Sequence, residues 1–380
     1  MQFEIDERSS VIPNIRQGQR ERVEHALRQL TLIRERFEGR PMVLRATDSV
    51  AWVGGGLSQS IDRTAQVDPV WFVIDDGVRV IASSVEVERI EKELETLDLD
   101  WPVTGAAWWD PESGPRVVHE WVGANVISDG GLGIDVTSEL VRARLSPCDA
   151  ELSVYEWFAP LVTKSLEDAL DTWCPGESSD YEVAGELQCR LESMGAEGVC
   201  VIVGGDDRLR RFRHPLAVGD RPRRRIMGVV VARVGGLHIA VTRFAGETTS
   251  QEAEAMQKCR AVDTAVLEAI RPGATWGEVY ASLGRAYEDV GRPGEWRKHF
   301  QGGPLGYRQR EFELSPESTS SPWWNEVVPE RVVVSFNPSF DGGIKVEDTI
   351  LVEAGEHRRL SVASYDTVVT ASGMKGRGNQ

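Results

Sequence analysis

The chain has 380 residues, of which 41% are hydrophobic and 27% are charged. This composition is typical of a soluble globular protein and is too apolar for an intrinsically disordered one. The net charge of −17 argues against nucleic acid or an anionic membrane as the main partner, because both attract surfaces rich in Lys and Arg. A chain of this length predicts two or three domains.

Targeting signals and cysteines point to one compartment. The N-terminal segment is acidic where a signal peptide would be basic, and the longest apolar run, residues 226–232, is far shorter than a membrane span. The five cysteines form no CxxC pair, and an odd number favours reduced thiols over a disulfide framework or a zinc ribbon. We therefore expect a cytoplasmic protein that does not cross a membrane.

The first half of the chain predicts one α/β unit, because helical and strand patterns alternate along it. The predicted elements are a helix at 19–37, strands at 43–44, 70–74 and 78–81, helices at 85–97 and 136–145, and a Pro/Gly-rich loop at 101–115. Asp75-Asp76-Gly77 is the predicted hairpin turn between the second and third strands. A boundary at 146–153 divides the chain into predicted domains 1–150 and 151–380.

The second half opens with a helical pattern over 156–173 and then contains an internal repeat. Val183, Leu187 and Gly195 follow a Pro-Gly turn with the same spacing as Val279, Leu283 and Gly291, and the two glycines lie 96 residues apart. Each copy reads as an amphipathic helix ended by glycine, followed by a strand-like run at 199–203 or 332–336. The internal repeat predicts a domain built from two related halves.

Three segments of the second half carry a family likeness: GVVVARVGGLHIAVTRF (228–244), HFQGGPLGYRQRE (299–311) and VVVSFNPSFDGGIKVEDTILV (332–352). Their order and spacing resemble the pita-bread family, which contains methionine and proline aminopeptidases, prolidase and creatinase. The resemblance spans roughly residues 156–360. It implies an α+β protein with a C-terminal pita-bread domain of pseudo-twofold halves, preceded by a smaller α/β creatinase-type domain, and it implies a homodimer.

The segments depart from the metallopeptidase pattern at four of its five metal-ligand positions. By the resemblance, two aspartates would fall at Val229 and Ala240, a histidine at Gly303 and a glutamate at Asn337, and only Glu347 keeps an acidic side chain. One carboxylate and one amide cannot hold two divalent cations. If the three segments correspond to the metallopeptidase pattern position by position, the site contains no metal and no other cofactor. A shifted correspondence is the alternative.

The second segment is the most similar to creatinase, the family member that hydrolyses a C–N bond without a metal. Both read His, ten residues, then Arg-Glu, which here are His299 and Arg310-Glu311. The resemblance implies that His299 and Arg310 bind a substrate carboxylate, a role that suits a guanidinium and an imidazole. Gln301 is a further polar residue of this motif. Tyr307 either contacts the substrate or is a buried part of the wall.

His214 is the candidate general base, because it precedes the 228–244 segment near the place of the creatinase histidine. An island of eight arginines surrounds it in the sequence: Arg208, Arg210, Arg211, Arg213, Arg221, Arg223, Arg224 and Arg225. If several of them lie near the imidazole, their charge keeps His214 neutral, as a base must be. The alternative is that these arginines pair with acidic residues at a dimer or domain contact.

Three more residues complete the predicted site. The resemblance places Asn337 and Glu347 in the pocket, where they would orient the reacting group, and strand alternation puts Lys345 on the same face as Glu347. Trp52 precedes the segment VGGG at 53–56. In creatinase-type N-terminal domains such a ring belongs to a loop near the active site, so Trp52 is predicted to line the pocket, of this subunit or of its partner.

Taken together, the pattern predicts a metal-independent, creatinase-like hydrolase or lyase that acts on a C–N bond of a small carboxylate-bearing substrate. His214, His299 and Glu347 are its predicted catalytic residues. Two alternatives stay open: a degenerate family member that serves as a binding module, and an atypical aminopeptidase with an unusual ligand set.

Overall fold

A computed structural model describes residues 12–57 and 61–362 of the chain, without the side chains of 12–17. The chain divides into two compact units. The first runs to Arg144 and adds Cys148–Val154 and Gly235–Leu237, and the second comprises Leu145–Pro147, Tyr155–Val234 and the residues from His238 onward. Helices and strands are mixed throughout, which confirms the predicted α+β class.

The helices are α1 (Ile12–Arg36), α2 (Thr47–Val53), α3 (Val87–Thr96), α4 (Ser113–Val122), α5 (Thr137–Arg144), α6 (Asp149–Asp171), α7 (Asp180–Ser193), α8 (Asp206–Arg211), α9 (Ser250–Ala269) and α10 (Trp276–Asp289). The strands are β1 (Met42–Ala46), β2 (Val67–Ile74), β3 (Val78–Ser83), β4 (Val103–Ala106), β5 (Ile127–Ser128), β6 (Ile134–Asp135), β7 (Glu197–Gly205), β8 (Arg225–Val234), β9 (Leu237–Gly246), β10 (Gly302–Pro304), β11 (Arg331–Phe336), β12 (Ser339–Phe340), β13 (Ile344–Lys345), β14 (Ile350–Glu353) and β15 (Glu356–Arg359). Within the described ranges, every helix is too short or too polar to cross a bilayer.

The first unit is built on a six-stranded sheet in the order β4-β3-β2-β1-β5-β6. The predicted turn at Asp75-Asp76-Gly77 joins antiparallel β2 and β3, as expected. The prediction of a continuous loop over 101–115 was wrong, because β4 lies within it and pairs in parallel with β3. β4 forms at the edge of the sheet by pairing with β3, and the local Pro and Gly content does not reveal such a tertiary contact.

Trp52 was expected in a loop, but it lies in α2. This helix ends at the glycine run, where Gly55 and Gly56 adopt φ values of +63° and +92° that other residues rarely reach. The indole is completely buried within the first unit. The expectation of a loop residue was therefore wrong, and the proposed role of Trp52 as a pocket wall stays a prediction.

The second unit contains a three-stranded sheet β7-β8-β9, a four-stranded sheet β10-β11-β14-β15 and the pair β12-β13. The long helix α6 begins at Asp149, seven residues before the predicted start. The early start follows from a local cap, since the Glu151 carboxylate accepts a hydrogen bond from the Cys148 N–H at 2.8 Å. The predicted boundary segment 146–153 thus falls partly inside a helix.

The two copies of the internal repeat have the same local structure. Helices α7 and α10 each contain 14 residues, and each begins with a capping box, formed by Ser179 with Glu182 and by Thr275 with Glu278. Beyond each helix a glycine adopts a φ of +77°, Gly195 after α7 and Gly291 after α10. Start and stop signals that recur with this spacing explain why both helices could be predicted from the sequence.

We expect the cap of α10 to stabilise the second unit measurably. Replacing Thr275 by Ala removes the hydroxyl that accepts from the Glu278 N–H, and should lower the free energy of unfolding by about 1 kcal/mol. Thr275→Ser keeps the acceptor and is the matched control. Urea unfolding followed by circular dichroism measures the effect, and equal stability of the two variants would contradict it.

Candidate active site

A cavity of about 270 Å³ lies in the second unit beside β7 and β8. Cys200 and Ile202 of β7 pair with Val231 and Val229 of β8, and all four side chains line the cavity. They share one face because side chains alternate along a strand. The polar lining residues are His214, Gln309, Arg310, Glu313, Asn337, Lys345 and Glu347. The cavity therefore joins an apolar wall to a charged end.

The charged end is organised around the carboxylate of Glu347, which is only 2% exposed. Thr242 donates its hydroxyl hydrogen to Oε2 at 2.6 Å, and the Lys345 ammonium lies 3.2 Å from the same oxygen. Arg310 donates through Nη2 to Oε1 at 3.2 Å, and the Asn337 amide lies 3.4 Å from Oε1. Strand alternation correctly placed Lys345 beside Glu347.

Two opposing effects act on the ionisation of this carboxylate. Burial raises the pKa of Glu347, whereas the positive charges of Lys345 and Arg310 and the hydrogen bond from Thr242 lower it. The net pKa lies below the usual 4.5, so Glu347 is ionised near neutral pH. An ionised carboxylate between two cations accepts protons poorly.

The structure brings His214 and His299 together, with their ring centroids 4.9 Å apart. Burial, then Lys345, lowers the pKa of His299 to about 3. The pKa of His214 is also lowered, first by burial and then by Lys345, although this ring remains partly exposed. Both imidazoles are therefore neutral near pH 7, as a proton acceptor needs to be.

The arginine island does not supply this effect. Several of its members pair with acidic residues of the second unit, as Arg213 does with Glu295 at 2.9 Å and Arg224 with Glu252 at 2.6 Å. The idea that these arginines keep His214 neutral was thus incorrect, because Lys345, 131 positions away in the chain, is the cation that acts on it. The alternative was pairing with acidic residues at a dimer or domain contact; the pairs that the structure shows lie within the second unit, and a role at a dimer contact stays a prediction.

Gln301 and Tyr307 lie next to the site but outside the lining of this cavity. Gln301 is buried, accepts from the Tyr287 hydroxyl at 3.0 Å, and donates to the His299 carbonyl oxygen at 2.7 Å. Tyr307 is buried, and its backbone N–H donates to Glu311 at 2.8 Å. Substrate contact by either side chain stays a prediction, and for Gln301 it would require breaking existing hydrogen bonds.

Sequence reasoning missed Thr242 and Cys200. Thr242 lies two residues after Ala240 on β9, so strand alternation could have placed its hydroxyl on the same face as the aligned ligand position. Cys200 enters the wall only through its pairing with Val231. Burial raises the pKa of its thiol, and the nearby Glu347 raises it further. Cys200 is therefore a poor nucleophile at neutral pH.

The residues around Glu347 do not suit a divalent metal. Both carboxylate oxygens face cationic side chains, and Val229 supplies only a hydrocarbon surface. At Gly303 a side chain is excluded, because an added Cβ would lie 2.5 Å from the Tyr280 hydroxyl oxygen. Within residues 12–57 and 61–362, no three His, Cys, Asp or Glu side chains cluster as an ion-binding group.

The family assignment follows from comparison with known proteins. The model of metallopeptidase family M24 matches residues 159–354. The chain belongs to metallopeptidase family M24. This confirms the predicted pita-bread family, whereas a closer relation to creatinase stays a prediction. A comparison with curated proteins found no match.

Solved structures share the M24 fold over most of the chain. Prolidase from Pyrococcus horikoshii OT3 is 16% identical, with 91% of this chain and 99% of that chain covered and a TM-score of 0.70. Xaa-Pro dipeptidase from Bacillus anthracis is 16% identical, with coverages of 91% and 99% and a TM-score of 0.69. The N-terminal domain of a FACT complex subunit from Cicer arietinum (chickpea) is 12% identical, with coverages of 92% and 97% and a TM-score of 0.62. At such identities the likeness concerns the fold.

We expect Lys345 to control the protonation of both histidines. Replacing Lys345 by Met removes the positive charge that disfavours imidazolium, so the pKa values of His214 and His299 should both rise. NMR titration of the histidine ring protons measures this. Lys258→Met, which removes an exposed charge on α9, is the control, and a shift of equal size in that variant would contradict the assignment.

Glu347→Gln should destabilise the protein by about 3 kcal/mol at neutral pH, because it leaves Lys345 and Arg310 buried without a carboxylate. The folded-state pKa of Glu347 is lowered, so its contribution is present above the unfolded-state value near 4.5 and is lost as the pH falls through the folded-state value.

Denaturant unfolding at several pH values measures this difference. The control is Glu353→Gln, which breaks a more exposed pair with Arg331 and should cost less than about 1 kcal/mol. A loss that is equal in the two variants, or that does not shrink in acid, would contradict the role of Glu347.

Proposed function

We propose that this M24 protein is a metal-independent hydrolase or lyase that acts on a C–N bond of a small, carboxylate-bearing molecule. The observation that carries the proposal is an internal ion pair at Glu347, in the pocket where the family resemblance would place metal ligands. Glu347 is held by Lys345 and Arg310, and the neutral imidazole of His214 faces the same cavity. The cavity thus contains a base and two cations but no metal-binding set among the described residues.

His214 is the general base in this proposal. In hydrolysis it takes a proton from water, the water oxygen bonds to the substrate carbon, the C–N bond breaks, and the leaving nitrogen receives the proton. In elimination the same imidazole takes a proton from the carbon next to the one that bears the nitrogen, the C–H electron pair forms a C=C bond, the C–N bond breaks, and the leaving nitrogen receives the proton. Both reactions need a neutral ring, and the lowered pKa of His214 supports that state.

Lys345 and Arg310 are the groups that favour an anionic substrate. A substrate carboxylate can share these two cations with Glu347, since a guanidinium has several N–H donors in a planar fork. His299, which lies against His214, adds a neutral ring to the same end of the site. The predicted roles of His299 and Arg310 in binding a carboxylate therefore stay part of the proposal, together with Lys345.

The size and wall of the cavity limit the substrate. A volume of about 270 Å³ is close to the lower end of small-molecule sites. The surface of Ile202, Val229 and Val231 favours a short hydrocarbon portion opposite the charged end. Two solved relatives are named a prolidase and an Xaa-Pro dipeptidase, so dipeptides belong in the first substrate screen, beside amino acids and guanidino compounds.

The mechanism is tested by comparing His214→Gln with His119→Gln, which alters an exposed histidine of α4. Loss of the general base should lower kcat/KM by at least about 100-fold, and the control should keep full activity. Activity of the unaltered protein should fall with acid only below the ordinary histidine pKa of 6.5. Full activity of His214→Gln would remove His214 from the mechanism.

Metal content is tested separately, by elemental analysis of the purified protein and by activity after chelation. We expect no stoichiometric manganese, iron, cobalt or zinc, and no loss of activity with a chelator. One or two equivalents of a metal that is needed for turnover would favour the atypical aminopeptidase alternative.

A binding module is the second candidate function. Lys345 and Arg310 are both compensated by Glu347 already, an arrangement that a purely structural pocket would also have. A domain of a FACT complex subunit has this fold too. Ligand-induced thermal stabilisation without turnover of any bound compound would favour this candidate. The homodimer and the cytoplasmic location stay predictions.

A further inference from the structure

A second and larger cavity, of about 790 Å³, lies in the second unit between α9 and β9. This volume falls within the usual range of small-molecule sites. Lys345 and Glu347 line both cavities, so the buried ion pair forms a shared wall. The larger cavity therefore reaches the same charged residues from another side.

Four arginines line this cavity: Arg225, Arg243, Arg260 and Arg359. Two of them are occupied by the same carboxylate, since Arg243 and Arg359 lie 3.0 and 3.2 Å from the two oxygens of Asp348. Arg260 is exposed on α9. The cations that line the cavity outnumber the carboxylates, which favours an anionic ligand.

Arg225 provides the strongest indication of a ligand. Its side chain is only 2% exposed, and its guanidinium lies over the Phe244 ring at 4.4 Å from the centroid. Nε and Nη1 are buried without a hydrogen-bond partner in the described part of the chain, and the nearest carboxylate oxygen, of Glu252, is 3.5 Å from Nη1. A buried guanidinium donor without an acceptor lowers the free energy of unfolding, so a ligand that accepts a hydrogen bond from it would bind favourably.

Asp263 adds a titratable group to the same lining, and it is 7% exposed. Its pKa is raised to about 7, first by burial and then by the negative charge of the nearby Asp348, while Arg359 acts in the opposite direction. The other charged groups that line the cavity are Arg225, Arg243, Arg260, Lys345 and Glu347. A protonated carboxyl at this position can donate a hydrogen bond to an anion.

We propose that this cavity is a second binding site, which takes a small anion whose oxyanion group is bound by Arg225 and Arg260, with Asp263 as a neutral donor. Because Lys345 lines both cavities, a bound anion competes with Glu347 for its charge. Binding should therefore raise the pKa of His214 and His299, since Lys345 is a cation that lowers both. The proposal does not depend on the reaction proposed above, because binding is measured directly.

Isothermal titration calorimetry tests the site with two probes, sulfate for tetrahedral oxyanions and succinate for carboxylates, at constant ionic strength in chloride. We expect stoichiometric binding of at least one probe, weakened about tenfold in Arg260→Gln. Arg285→Gln, which removes an exposed charge from α10, is the matched control and should bind normally. Absence of binding by both probes, or equal weakening in the two variants, would overturn the proposal.

The role of Asp263 is tested with sulfate, whose charge is constant on both sides of neutral pH. As the pH rises through about 7, Asp263 ionises and its negative charge should weaken sulfate binding. Asp263→Asn keeps the donor and cannot ionise, so its affinity should not change across the same range. A pH-independent affinity of the unaltered protein would exclude Asp263 from the site.

Discussion

The structure of the site depends on one buried carboxylate and its two cations. Glu347 is almost inaccessible to water, and an unpaired charge at that depth would be strongly unfavourable. Lys345 and Arg310 offset this cost by placing two positive charges beside the carboxylate. The same ammonium group depresses the basicity of both histidines. The stability of the fold and the ionisation of the site are thus linked through one interaction.

Local signals in the sequence were sufficient for much of the fold. The Thr275 and Ser179 caps, the glycines that end α7 and α10, and the Asp-Asp-Gly turn all act within a few residues, so their effect can be read without a structure. Strand β4 could not be found in this way, because it exists only through pairing with β3. The start of α6 was also missed, since the cap is formed by a glutamate within the first turn, Glu151, which accepts from the Cys148 N–H.

Site residues could be predicted where the spacing of the family motifs placed them. They could not be predicted where a charge acts on a residue that is distant in the sequence. Val229, Asn337 and Glu347 were aligned to ligand positions, and they do line one cavity. The cation that acts on His214 was not predictable, because Lys345 reaches it through the fold while the neighbouring arginines bind carboxylates elsewhere. Thr242 was within reach of strand alternation, but a hydroxyl carries no signal until its acceptor is known.

The packing of Tyr280 against Gly303 bears on how this protein could change over evolutionary time. The phenol occupies the volume that an imidazole at position 303 would need, and its hydroxyl already donates to the Gly302 carbonyl oxygen. A histidine there would become tolerable only after a change at Tyr280, and neither step alone would improve ion binding. Two mutually dependent substitutions form an epistatic barrier, so a lineage with this packing does not gain a side chain at position 303 in a single step.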